Sequence, residues 1–175
     1  MILSGQEIIK EVKNKNIIIE PFEQKNINPN SYNYKLGNQY KIVSIDETLD
    51  YKNRSIDENN PLSYISEKGL LIEPGKIYLA TTYEIIGSHK FVTLLIGRSS
   101  VGRLGLFLEI SADLGNLGTA HKWTLEITSV QPVIIYPYMK IGQVSFWIPE
   151  GDIINYQGNY TNFNIPQNCF FESLF

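Results

Sequence analysis

The sequence predicts an all-β domain, a sandwich or barrel, with one short helix near its start. Three observations carry this. From Gly69 onward, short apolar and β-branched runs recur between Gly and Pro turns. Only one stretch shows helical spacing. Nothing alternates strand with helix, as a parallel sheet would require.

In chain order, Ser4 and Glu7 stand at capping-box spacing, and Ile8, Ile9 and Val12 follow with helical periodicity, so residues 5–14 are expected to be helical. Asn16 to Glu20 is a β-branched run stopped by Pro21, hence a strand. Pro29 to Gly37 opens as a turn and becomes an alternating strand. Residues 44–62 are polar and of mixed charge, with Asn59-Asn60-Pro61, and read as a loop or an edge excursion. Strands are then expected at 70–72, 77–82, 91–96, 106–110, 123–128, 133–135 and 141–148, with Pro74-Gly75 as a turn. From Tyr156 the chain is rich in aromatic residues and Asn without periodicity. It reads as a tail: a lid over a site, a strap on a neighbouring subunit, or a completion of the core. The whole of 1–175 is read as one domain, with 156–175 as that tail or lid.

With 43% apolar and 19% charged residues the chain is globular rather than disordered. A net charge of −3 argues against general nucleic-acid binding, which needs a dominant basic surface. Cys169 is the single cysteine, so no internal disulfide can form; this fits a reducing, cytoplasmic setting. No apolar run approaches the roughly 18 residues of a membrane span, and no signal peptide is expected.

Two stretches carry candidate chemistry. Gly97-Arg98-Ser99-Ser100-Val101-Gly102-Arg103-Leu104-Gly105 follows the apolar run 91–96. Its arginine forks, serine hydroxyls and glycine-permitted bends suit an anion cradle; the plainer reading is a surface turn that happens to carry two arginines. Glu126 lies inside Trp123-Thr124-Leu125-Glu126-Ile127-Thr128. Alternation puts it on the face of Thr124 and Thr128, opposite Leu125 and Ile127. Glutamate is depleted in strands and costly to bury unpaired, so it is either paired to Arg98 or Arg103, held as a base in a pocket, or turned to solvent. His89, His121 and Cys169 show no zinc-ligand spacing, and no Walker, Rossmann or nucleophile-elbow pattern is present.

The ordered motifs resemble the dCTP deaminase family of the trimeric dUTPase superfamily. Met1-Ile2-Leu3-Ser4, Ile19-Glu20-Pro21-Phe22, Pro29-Asn30-Ser31-Tyr32, Leu71 to Gly75 with Thr81 to Glu84, Gly97 to Leu106, Thr124-Leu125-Glu126 and Pro137 to Gln143 match its segments in order. The resemblance implies a distorted jelly-roll or β-barrel (a dUTPase-like β-clip) and a homotrimer, possibly a hexamer, with sites between subunits. It also implies zinc-free replacement of the cytosine 4-amino group by oxygen, dCTP giving dUTP and ammonia. Glu126 would be the general base, with Arg103 and Ser99 holding the water and the carboxylate. Arg98 and Ser100 would bind phosphates, and Ala112, Asn116, Thr124, Gln143, Tyr156 and Tyr160 would complete the nucleotide contacts. Mg²⁺ would be bound through the phosphates. The chain departs from the family pattern at Asn33 and Asn116, each in place of an aspartate. His121 stands in place of a glycine, Asn159 of a lysine and Phe163 of a glutamine. His121 either meets the ligand or fills space. Asn116 counts against a dUTP diphosphatase, because an amide cannot activate water as a carboxylate does. A non-catalytic nucleotide-binding homologue is the other reading.

Overall fold

The computed structural model describes residues 1–43, 60–108, 112–158 and 163–168. Residues 44–59 of the expected 44–62 excursion, Tyr160 and Cys169 lie outside the described residues.

Helix α1 spans Gly5–Lys13, where the capping spacing placed it: the Ser4 hydroxyl accepts from the Glu7 amide, and Asn14 closes the end. Its apolar stripe sends Ile8 and Ile9 into the core. Strands β1 (Ile17–Glu20), β2 (Tyr32–Val43), β3 (Ser63–Tyr64), β4 (Leu70–Ile72), β5 (Ile77–Thr82), β6 (Ile85–Ser88) and β7 (Val92–Gly97) follow. A single helical turn, α2 (Ser99–Gly102), leads to β8 (Leu106–Leu108), β9 (Leu114–Gly115), β10 (Thr119–His121), β11 (Thr124–Ser129), β12 (Val133–Ile135) and β13 (Lys140–Trp147).

The largest sheet is antiparallel and runs β8-β11-β5-β2-β13-β7-β9, with β3 added to β2. A second sheet orders β1-β6-β10, and β4 pairs with β12. The sheets curl around a core of Tyr32, Tyr34, Leu36, Tyr78, Leu95, Leu125, Ile127, Val144 and Phe146. The expected all-β fold takes the form of a curled, antiparallel half-barrel, and among the described residues α1 is the one helix longer than a turn. Among the described residues, no helix is long and apolar enough to cross a membrane.

Three expectations are corrected. The strand after Pro29 does not alternate: Tyr32, Asn33 and Tyr34 are all buried. Both its faces are covered, because Phe22 stacks on Tyr32 at 5.6 Å while Asn33 Nδ2 donates to Asn26 O at 3.2 Å and Asn28 Oδ1 at 3.0 Å. The Arg/Ser stretch is a one-turn helix rather than a plain turn. Strands β6, β9 and β10 escape sequence reading because runs of two to four residues are too short to show a period; they are held by pairing with β1, β7 and β6.

The turn into β13 carries Tyr138 at φ 64, a left-handed conformation that costs a side chain about 1 kcal/mol. Its amide donates to Leu36 O at 2.8 Å and its ring meets Tyr83 edge-on at 5.0 Å, which hold it there.

Candidate functional site

Glu126 sits in β11, between β5 and β8, opposite Leu79 in the register. The alternation is as expected: Leu125, Ile127 and Ser129 are buried, while Thr124, Glu126 and Thr128 are half-buried on the other face. A carboxylate there is partly shielded from bulk water and stands between Thr124 and Thr128 along the strand face.

The Arg/Ser turn forms where β7 ends at Gly97. Val101 is buried and anchors the turn, and its amide and that of Gly102 both bond Arg98 O at 2.9 Å. Gly105, at φ +78, lets the chain enter β8. Ser99, Ser100 and Arg103 are exposed. Arg98 donates through Nη1 to Lys140 O at 3.2 Å. Because Ser129 pairs with Leu106, the turn lies beyond the Ser129 end of β11, and Glu126 is about 10 Å further along that strand. Among the described residues the ion pairs join other groups, none of them Glu126 to Arg98 or Arg103 within one chain.

The remaining candidates divide. Thr124 accepts at its hydroxyl from the Gln167 amide at 3.2 Å, so the tail reaches the Glu126 strand. Gln143 Oε1 accepts from Ser31 Oγ at 2.8 Å and Asn28 Nδ2 at 3.2 Å, which ties β13 to the segment before β2. Asn116 is exposed between β9 and β10, and its carbonyl accepts from Thr119 Oγ1 at 2.8 Å. Tyr156 is half-buried, with its amide bonded to Leu117 O at 3.0 Å, and Ala112 is exposed.

His121 is buried, its ring tilted by 34° against that of Trp123 at 4.4 Å, with Nδ1 3.0 Å from Lys122 O. Burial lowers its pKa and favours the neutral ring. That environment matches the space-filling reading. Asn33 also has a structural account: its amide donates two hydrogen bonds that a carboxylate could not.

Sequence reasoning gave Glu84 no role beyond its place in a motif. Its side chain is fully buried; Oε2 accepts from the Lys35 amide at 2.9 Å, and Oε1 has no partner. Burial raises its pKa and favours the protonated carboxyl. Beside it, Lys35 pairs with Glu23. Thr82 Oγ1 donates to Glu84 O at 2.7 Å and accepts from Trp123 N at 2.9 Å, which fixes the entry to β11. A glutamate that follows Thr-Thr-Tyr looks like a surface turn in sequence, so only the fold reveals it.

Comparison with known proteins bears on this arrangement. The family model described as "dCTP deaminase-like" matches residues 2–148. A protein of Clostridium botulinum (strain Eklund 17B / Type B) named "dCTP deaminase, dUMP-forming" is 47% identical over 165 residues, covering 94% of this chain and 92% of the relative. A protein of the same name from Hathewaya histolytica is 48% identical over 167 residues, covering 93% and 92%. The "dCTP deaminase" of Rhodopirellula baltica is 43% identical over 156 residues, 87% of this chain and 74% of that one. Among solved structures, the 2'-deoxycytidine 5'-triphosphate deaminase from Agrobacterium tumefaciens superposes with a TM-score of 0.66 at 21% identity. That match covers 85% of this chain and 48% of the other, so this chain spans about half its length, and the likeness is one of fold.

Proposed function

Because the chain belongs to the dCTP deaminase-like family, we propose that it hydrolyses the 4-amino group from dCTP and forms dUMP, with release of ammonia and pyrophosphate. The observation that carries this reading is Glu126: a half-buried carboxylate between two threonines on the less buried face of β11. The names of the relatives move the product from the dUTP expected from sequence to dUMP, which adds cleavage of the α,β-phosphoanhydride. That second cleavage stands against the sequence argument from Asn116.

In the first step Glu126 takes a proton from water as the oxygen bonds to C4. It passes that proton to the ring nitrogen, then takes the proton of the new C4 hydroxyl and gives it to the departing amine, so the C4–N bond breaks as C4=O forms. Arg103 and Ser99 hold the water and offset the charge that develops at C4. Arg98 and Ser100 take the phosphates. Mg²⁺ carried on the triphosphate would screen phosphate charge.

The exposed Arg/Ser turn and its separation from Glu126 within one chain support a site completed by a second copy, as a homotrimer or a hexamer built from trimers would provide. The test is product identification by mass after incubation with dCTP and Mg²⁺. The expected products are dUMP, ammonia and pyrophosphate in equal amounts. Accumulation of dUTP without pyrophosphate contradicts the second cleavage, and unchanged dCTP contradicts the enzyme reading in favour of a nucleotide-binding homologue.

A further inference from the structure

A row of short polar side chains runs from the segment before β2 to β13. Asn33 Nδ2 donates to Asn26 O at 3.2 Å and to Asn28 Oδ1 at 3.0 Å. Asn28 Nδ2 donates to Ser31 Oγ at 3.0 Å and to Gln143 Oε1 at 3.2 Å, and Ser31 Oγ donates to the same Gln143 oxygen at 2.8 Å. One backbone atom sets the direction of the whole row. A peptide carbonyl only accepts, so Asn33 must turn its NH2 toward Asn26 O. Asn28 must then offer Asn33 its oxygen, which leaves its NH2 facing Ser31 and Gln143. The Ser31 hydroxyl accepts from Asn28, so its own hydrogen goes to Gln143, and Gln143 must turn its oxygen into the row. Nε2, the other end of that amide, is left outside the row. Among the described residues it has no hydrogen-bond partner, and the Gln143 side chain is half-buried rather than sealed. In β13, Gln143 lies opposite Asn33 on one side and Ile96 on the other, so these side chains share a sheet face. Ile96 is 41% exposed, so that face is open to solvent beside Gln143. Arg98, two residues on and still extended at φ −105 and ψ 139, continues the alternation onto this face, roughly 7–8 Å from Gln143 across the diagonal.

Resting on the deaminase reading above, in which Gln143 and Arg98 touch the nucleotide, we propose that Asn33 and Asn28 are positioning residues that lock Gln143 as a hydrogen-bond donor toward a substrate oxygen that only accepts, a phosphate oxygen or the pyrimidine 2-carbonyl. An unrestrained glutamine amide presents either end to a ligand, and the wrong end sets two acceptors against each other. The row removes that freedom before the ligand arrives, which lowers the ordering cost of binding. Its direction depends on Asn33. An aspartate there has no hydrogen to give Asn28, so Asn28 would turn its NH2 to residue 33, and Gln143 would follow with its oxygen outward. The departure from the family pattern at position 33 thereby has a consequence at the ligand.

The test is a double-mutant cycle in the full chain carrying Glu126→Gln, which holds nucleotide without turnover, read by calorimetric titration with dCTP and Mg²⁺. Asn28→Asp keeps the shape and gives the row a central acceptor: Asn33 Nδ2, Ser31 Oγ and Gln143 Nε2 all donate to the carboxylate, so the fold keeps its hydrogen bonds while Gln143 turns its oxygen outward. Affinity for dCTP is expected to fall about tenfold, with the thermal midpoint held or raised. In a Gln143→Met background no amide remains to turn, and the same substitution is expected to weaken binding by about threefold at most, the share left to repulsion between the new carboxylate and the phosphates. Asn33→Asp reverses the row from its other end and is expected to show the same contrast between backgrounds, with a lower midpoint because Asn26 O loses its donor. Equal losses in the two backgrounds, by either substitution, overturn the inference, because the effect then does not pass through Gln143. Unchanged affinity with Gln143 in place overturns it as well. If the Glu126→Gln chain with Asn28, Asn33 and Gln143 intact binds no dCTP, the deaminase reading falls and this inference with it.

Discussion

Glu126→Gln is expected to slow ammonia release from dCTP by about 10²- to 10⁴-fold while leaving nucleotide affinity within about threefold. Glutamine preserves the shape and can still hydrogen-bond, but it cannot take a proton from water. The loss should fall on kcat rather than KM, because the proton is in flight only in the transition state. The strand should survive the change, since Leu125 and Ile127 on its buried face hold it in the sheet and residue 126 faces the other way. Steady-state kinetics with ammonia detection, paired with calorimetric binding, separates the two effects. Wild-type turnover by this variant would remove Glu126 from the role of base.

Gly142→Ala is expected to destabilise the fold by about 3 kcal/mol, seen as a fall in thermal midpoint of roughly 6–12 °C. Gly142 pairs with Tyr34 on one side and Gly97 on the other. A Cβ there would sit 2.0 Å from both Cζ and Oη of Tyr34. The tyrosine cannot swing aside, because it is fully buried and its hydroxyl donates to Ile96 O at 3.3 Å. That hydrogen bond lies two residues before Arg98, so the same clash displaces the end of β7 from which the Arg/Ser turn departs. Calorimetry of the purified variant reads the shift; an unaltered midpoint would show that the sheet has slack at this crossing.

The candidate base was legible because one acidic residue interrupts an otherwise apolar alternating run, and β11 keeps that alternation. The Arg/Ser stretch was legible as a place of chemistry from its residue types, but not as a helical turn, because four residues carry no period. Its distance from Glu126 was not legible at all, since it depends on how β8 aligns with β11. The burial of both faces of β2 hid in the same way: the polar Asn33 reads as outward until the residues from 26 to 28 are folded over it. Glu84 escaped because it is a polar residue in a stretch without periodicity, and burial alone makes it conspicuous.

The central claim is that Glu126 of one chain works with the Arg/Ser turn of another. Subunit mixing tests it most directly. Glu126→Gln and Arg103→Ala, each inactive alone, are unfolded together and refolded so that chains assort at random. Sites that draw Glu126 from one chain and Arg103 from its neighbour would be intact in about one case in four, restoring about a quarter of wild-type activity. Activity no higher than that of the two variants kept apart would contradict the account and place both groups in the same subunit.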